Sequence, residues 1–180
     1  MTEDAARYGG VAIALHWTGA ALVFCGFALG LWMTGLDFSP AKLRYYAWHK
    51  WIGVTAFVVA AARLAWRAAV PPPPLQDRVA PWQRRAAAVV HLLLYALLLA
   101  VPVSGWLYSS AAGVEVVYLG VLPLPNPIAK DREVAQLLLL AHRTLNFSLA
   151  AAVALHVGAA LWHGLAARDG VLERMLPRRR

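Results

Sequence analysis

The chain has a single cysteine, Cys25, in 180 residues. That excludes an internal disulfide framework and a thiolate-held iron–sulfur cluster. Cys25 lies inside an apolar run and reads as a small packing residue. Acidic residues are also scarce, nine Asp and Glu against 17 Lys and Arg, and none falls inside a long apolar stretch. Zinc and di-iron sites in helical bundles recruit carboxylates or clustered ligands, so the sequence disfavours both. Charge of either sign is sparse: 14% of residues are charged, 61% are hydrophobic, and the mean hydropathy is +0.56. That is too apolar for a soluble globular chain and points to a membrane bundle. The net charge of +8 comes with no basic groove or base-stacking pattern, so nucleic acid is not an expected partner.

What is present is a set of long hydrophobic runs. A chain of this length holds four spans of about 20 residues with short connections. The predicted spans are 11–36, 46–69, 84–109 and 134–166. The expected fold is a single all-α membrane domain over residues 1–180, a four-helix bundle embedded in the lipid bilayer. The first ten residues form a polar arm with Glu3, Asp4 and Arg7. The apolar run from Val11 is too long for a cleavable signal. Asp37–Pro40 reads as a turn, followed by a polar stretch through Lys42 and Arg44. The prolines from Pro71 to Pro74 cannot continue a helix. Pro102 predicts a kink within the third span, and YLGVLPLPNP in the loop 110–133 reads as an apolar, broken surface segment.

Orientation follows from the basic residues. One side holds Arg7, Arg63, Arg67, Arg78, Arg84, Arg85, Arg168, Arg174, Arg178, Arg179 and Arg180; the other holds Lys42, Arg44, Lys50, Lys130, Arg132 and Arg143. Eleven against six predicts both termini in the cytoplasm. Most tryptophans fall near predicted span ends, as interfacial aromatics do.

The chemistry lies in the histidines. His142 and His156 on the fourth span are fourteen residues apart, roughly 21 Å along a helix and nearly on one face. A polar ring in hydrocarbon needs a partner, and two rings at different depths call for two partners. His16, near the inner end of the first span, matches His156 in depth. His49, at the start of the second span, matches His142 on the outer side. Two bis-imidazole haems fit this pattern and suit electron transfer, since no open iron position remains. His163, one heptad beyond His156, reads first as an interfacial residue, with inner ligation as its alternative. His91 reads first as structural, with a hydrogen bond to a haem edge or a proton relay as alternatives. Arg63 is costly in the bilayer without a partner, and a haem propionate would serve. Arg67, Lys50 and Arg143 are further propionate candidates, against the simpler reading that they snorkel to headgroups.

The ordered segments IALHW (Ile13 to Trp17), WHKWIG (Trp48 to Gly53), RLAWR (Arg63 to Arg67), HLLLYALLLAVPVSGW (His91 to Trp106), AHRTLNF (Ala141 to Phe147), ALHVGAALWH (Ala154 to His163) and GVLERMLPRR (Gly170 to Arg179) resemble the bacterial cytochrome b561 family. The likeness runs from about Tyr8 to the C-terminus. It implies a four-helix membrane cytochrome with two haem b groups and His16, His49, His142 and His156 as axial ligands. It also implies electron transfer between membrane quinone and a periplasmic donor or acceptor, with superoxide:quinone oxidoreduction as one known activity. An alternative expectation is a haem-containing anchor and electron-relay subunit for a dehydrogenase or hydrogenase.

Overall fold

A computed structural model describes residues 7–74 and 79–177. Glu3, Asp4, Arg78 and Arg178 to Arg180 lie outside the described residues. Four long helices dominate: α1 (Gly10–Thr34), α2 (Pro40–Ala69), α3 (Pro81–Ala111) and α4 (Arg132–Trp162). The last continues through a π-helical turn, His163–Ala167. The shortest, α1, has 25 residues, about 38 Å of helix, and each of the four can cross a hydrocarbon layer ~30 Å thick. All four meet the length and hydropathy expected of a membrane span. The chain is an all-α, multi-pass bundle.

Local chemistry sets the helix starts. Ser39 caps α2 by accepting a hydrogen bond from the Lys42 amide at 3.2 Å, and Pro40 occupies the first helical position. The helix therefore begins six residues before the expected span start near Tyr46. Ser39-Pro40 is a helix-start signal rather than loop punctuation, and the polar stretch through Lys42 and Arg44 forms the first turns of α2. Asp131 caps α4 by accepting from the amides of Glu133 and Val134. Pro81 opens α3, and Gln83 reaches back to the Ala80 amide at 2.9 Å. Helix α3 runs continuously through Pro102.

Close packing joins α1 to α2, α2 to α3 and α3 to α4. The buried apolar centre is small, Leu97, Leu149 and Ala152 with Val23, Leu94 and Val101 around it. Large apolar side chains such as Leu92, Leu140, Phe147 and Leu155 are exposed. That distribution suits lipid as solvent, where helices associate by packing and hydrogen bonding rather than by escaping water.

At one end, the chain after α4 folds back beneath the bundle. Arg174, only 5% exposed, donates to the Pro73 carbonyl at 2.6 Å. Trp17 Nε1 donates to Met175 O at 2.8 Å, and Arg7 to Leu176 O at 2.8 Å. At the other end, the α3–α4 loop holds a short antiparallel hairpin, β1 (Val117–Tyr118) and β2 (Leu122–Pro123). Its turn needs positive φ at Leu119 and Gly120.

Candidate functional site

The bundle brings the four singled-out histidines together in two pairs. His16 on α1 faces His156 on α4 with ring centroids 6.2 Å apart and planes at 76°. His49 on α2 faces His142 on α4 at 6.4 Å and 86°. An iron held between two imidazoles, at the roughly 2 Å typical of histidine–metal bonds, separates the ring centroids by about 6 Å. Both pairs meet that spacing. The Nδ1 atoms of His16 and His49 are buried without a hydrogen bond in the protein, although His49 faces the Gly26 carbonyl.

The His49–His142 pair lines a cavity of about 350 Å³ reaching from Gly26 and Phe27 on α1 to Leu149 and Val153 on α4. Cofactor sites span ~300–1,000 Å³ with mostly apolar walls, and the lining here is apolar apart from the two histidines and Asn146. His142 is held from behind. Its Nδ1 lies 3.1 Å from the Val101 carbonyl and 2.9 Å from Ser104 Oγ, and Ser104 itself donates to Val101 O at 2.7 Å. The consistent assignment has Nδ1–H donating, which leaves the Nε2 lone pair free for a metal. Such backing interactions fix the tautomer and orientation of ligating histidines.

Two glycines make room for this pair. A Cβ on Gly105 would lie 2.9 Å from His142 Cε1, and one on Gly30 would lie 3.1 Å from His49 Cε1. Neither glycine, nor Ser104, was singled out from the sequence. A glycine inside an apolar helical run is a recognised sign of a close packing contact, and that signal was available for both.

His91 packs edge-on against His156, with centroids 5.4 Å apart. It therefore stands beside the first pair rather than alone in the third helix. Among the described residues no three metal-ligating side chains converge on one point. His163 turns away to Asp169, with Nδ1 to Oδ2 at 2.5 Å, and packs against Trp162. Arg63 lies over the Tyr95 ring at 5.5 Å, within electrostatic reach of His16 and His156. Arg67 lies within electrostatic reach of His91 and of Arg63. Lys50 donates to the Glu115 carbonyl at 3.4 Å, and Arg143 is exposed within reach of Tyr46.

The family model for prokaryotic cytochrome b561 matches residues 7–178. Cytochrome b561 homolog 2 of Escherichia coli K12 is 34% identical over 98% of this chain and 94% of its own length. Cytochrome b561 homolog 1 of the same organism is 30% identical over 97% and 99%. The probable superoxide oxidase CybB of Yersinia pestis is 26% identical over 97% and 98%. The family implies haem b and places the four helices in a bacterial inner membrane. The chain belongs to the prokaryotic cytochrome b561 family.

Proposed function

We propose that this protein is a dihaem cytochrome passing single electrons between a small reductant at the His49–His142 end and membrane quinone. The observation that carries the reading is the pair of two-histidine clusters at opposite ends of one bundle, each spaced for a single iron. His16 and His156 would hold one haem b, His49 and His142 the other. When bound, each haem would supply a one-electron iron couple. The protein's part is to hold the rings apart, exclude water with apolar walls, and fix the His142 tautomer through Val101 and Ser104. Arg63 and Arg67 would pair with propionates at the His16–His156 end, Lys50 and Arg143 at the other.

The excess of basic residues at the His16–His156 end supports an orientation with both termini cytoplasmic. The reductant site then faces the periplasm. Superoxide is the substrate named for the Yersinia pestis relative. Two superoxide anions would each lose one electron to give dioxygen, and one quinone would take two electrons and two protons to give quinol. Lys42, Arg44, Lys50, Lys130, Arg132 and Arg143 would steer the anion toward the His49–His142 end.

The test is to reconstitute the purified holoprotein in liposomes containing ubiquinone and add superoxide. The reading expects haem reduction followed by quinol, one for every two superoxide anions consumed. Haems that dithionite reduces but superoxide does not would refute the proposed donor. Reduction only with an added redox subunit would make the chain an electron-relay anchor instead.

A further inference from the structure

We propose that the hairpin between α3 and α4 is a membrane-inserted element whose apolar edge contacts acyl chains of the leaflet at the His49–His142 end. The first observation is composition. No charged residue occurs between Glu115 and Lys130, and the tip exposes Leu119, Val121 and Leu122 at 56%, 80% and 55%. A two-stranded hairpin with such an edge is poorly stable and prone to association in water.

Depth is the second observation. The hairpin is tied to α2 by Trp51 Nε1 donating to Val117 O at 2.7 Å and by Thr55 Oγ1 and the Tyr118 hydroxyl at 2.9 Å. Trp66 and Arg67 are interfacial residue types at the far end of α2. Counting back from Arg67, a hydrocarbon layer of ~30 Å takes about 20 residues, which sets its other boundary near Ala47 beside Trp48. Trp51 then lies roughly 6 Å and Thr55 roughly 12 Å below that boundary. The hairpin hangs at the depth that interfacial amphipathic elements reach, about 5–10 Å.

The backbone is the third. Non-helical backbone at membrane depth must have its polar groups satisfied. Leu124 N donates to Val116 O at 2.8 Å, Val121 N to Tyr118 O at 3.1 Å, and Gly120 N to Val117 O at 3.3 Å. Pro123, Pro125 and Pro127 have no amide donor to satisfy. Trp106 Nε1 donates to Pro125 O at 3.0 Å, and Ser110 Oγ bonds both Ile128 O and Ile128 N. The hairpin thus straps α2 to α3 through these hydrogen bonds and leaves the Leu119, Val121 and Leu122 side chains exposed.

The test places a nitroxide label on Val121→Cys in a Cys25→Ser background, with the holoprotein in lipid nanodiscs. EPR power saturation compares collisions with lipid-soluble oxygen and a water-soluble nickel chelate. Leu140→Cys, on the exposed face of α4, gives the lipid reference, and Lys130→Cys gives the aqueous one. Insertion predicts an oxygen-to-nickel ratio at 121 close to that at 140 and several-fold above that at 130. A second label at Leu122→Cys should agree. Ratios at both sites matching 130 would overturn insertion and leave a water-facing edge open to a protein partner.

Discussion

Gly105→Ala isolates the packing that seats His142. The new Cβ would lie 2.9 Å from Cε1, 3.3 Å from Nδ1 and 3.6 Å from Nε2 of that ring. Carbon atoms in contact prefer about 3.5–4.0 Å, so the ring or the helix must move by roughly half an ångström or more. Moving the ring lengthens its contacts with Val101 O and Ser104 Oγ, now 3.1 and 2.9 Å. Overpacking costs about 1–3 kcal/mol, and a weakened hydrogen bond adds about 1 kcal/mol. Disturbing the groups behind a ligating histidine typically lowers affinity about 10–100-fold. The assay is haem titration of apoprotein in detergent, with the low-spin EPR signals assigned to each haem. The haem at the His49–His142 end should bind more weakly and shift its signal, while the other stays unchanged. Gly30→Ala, with a contact of 3.1 Å, should show a milder form of the same defect. Gly158→Ala meets nothing within 4 Å and should be neutral or stabilising by about 0.5–1 kcal/mol, as alanine is in helices. Full occupancy and an unaltered spectrum in Gly105→Ala would refute the seating argument.

Other changes separate the remaining roles. Ser104→Ala leaves the Val101 carbonyl to accept from His142, so both haems should remain, with a shifted midpoint potential for one in redox titration. Arg63→Ala removes the cation near His16 and His156 and should weaken the haem at that end in the same titration, with Arg63→Lys partly restoring it. Asp169→Asn breaks a charge-assisted contact at a largely buried pair. Hydrogen bonds to charged groups contribute about 1.5–3 kcal/mol, so thermal unfolding should occur at lower temperature. The haem spectra should not change if, as proposed, His156 rather than His163 holds the haem at that end.

Much of this architecture is legible in the sequence because lipid imposes a simple rule. Apolar runs of span length become helices, and the four here do. Helix α2 begins six residues before the predicted span, because Ser39-Pro40 reads equally as a turn and as a cap with proline at the first helical position. The structure brings together His16 with His156 and His49 with His142, as depth along four antiparallel spans predicts. Depth says nothing about lateral neighbours, so the contact of His91 with His156 stayed hidden. Gly30, Gly105 and Ser104 act across helix pairs, α1 to α2 and α3 to α4, and no periodicity within one helix reveals such a partner. The hairpin was legible as apolar and broken, but its ties to Trp51 and Thr55 depend on how α2 and α3 pack.

The most direct measurement of the central claim is haem content with reduced-minus-oxidised spectra for the wild type and each single His→Ala variant. Two b haems per chain are expected, with one lost on substitution of His16, His49, His142 or His156 and both kept on substitution of His91 or His163. Wild-type protein purified without haem from haem-replete cells would contradict that claim, as would haem loss at His163 with retention at His156.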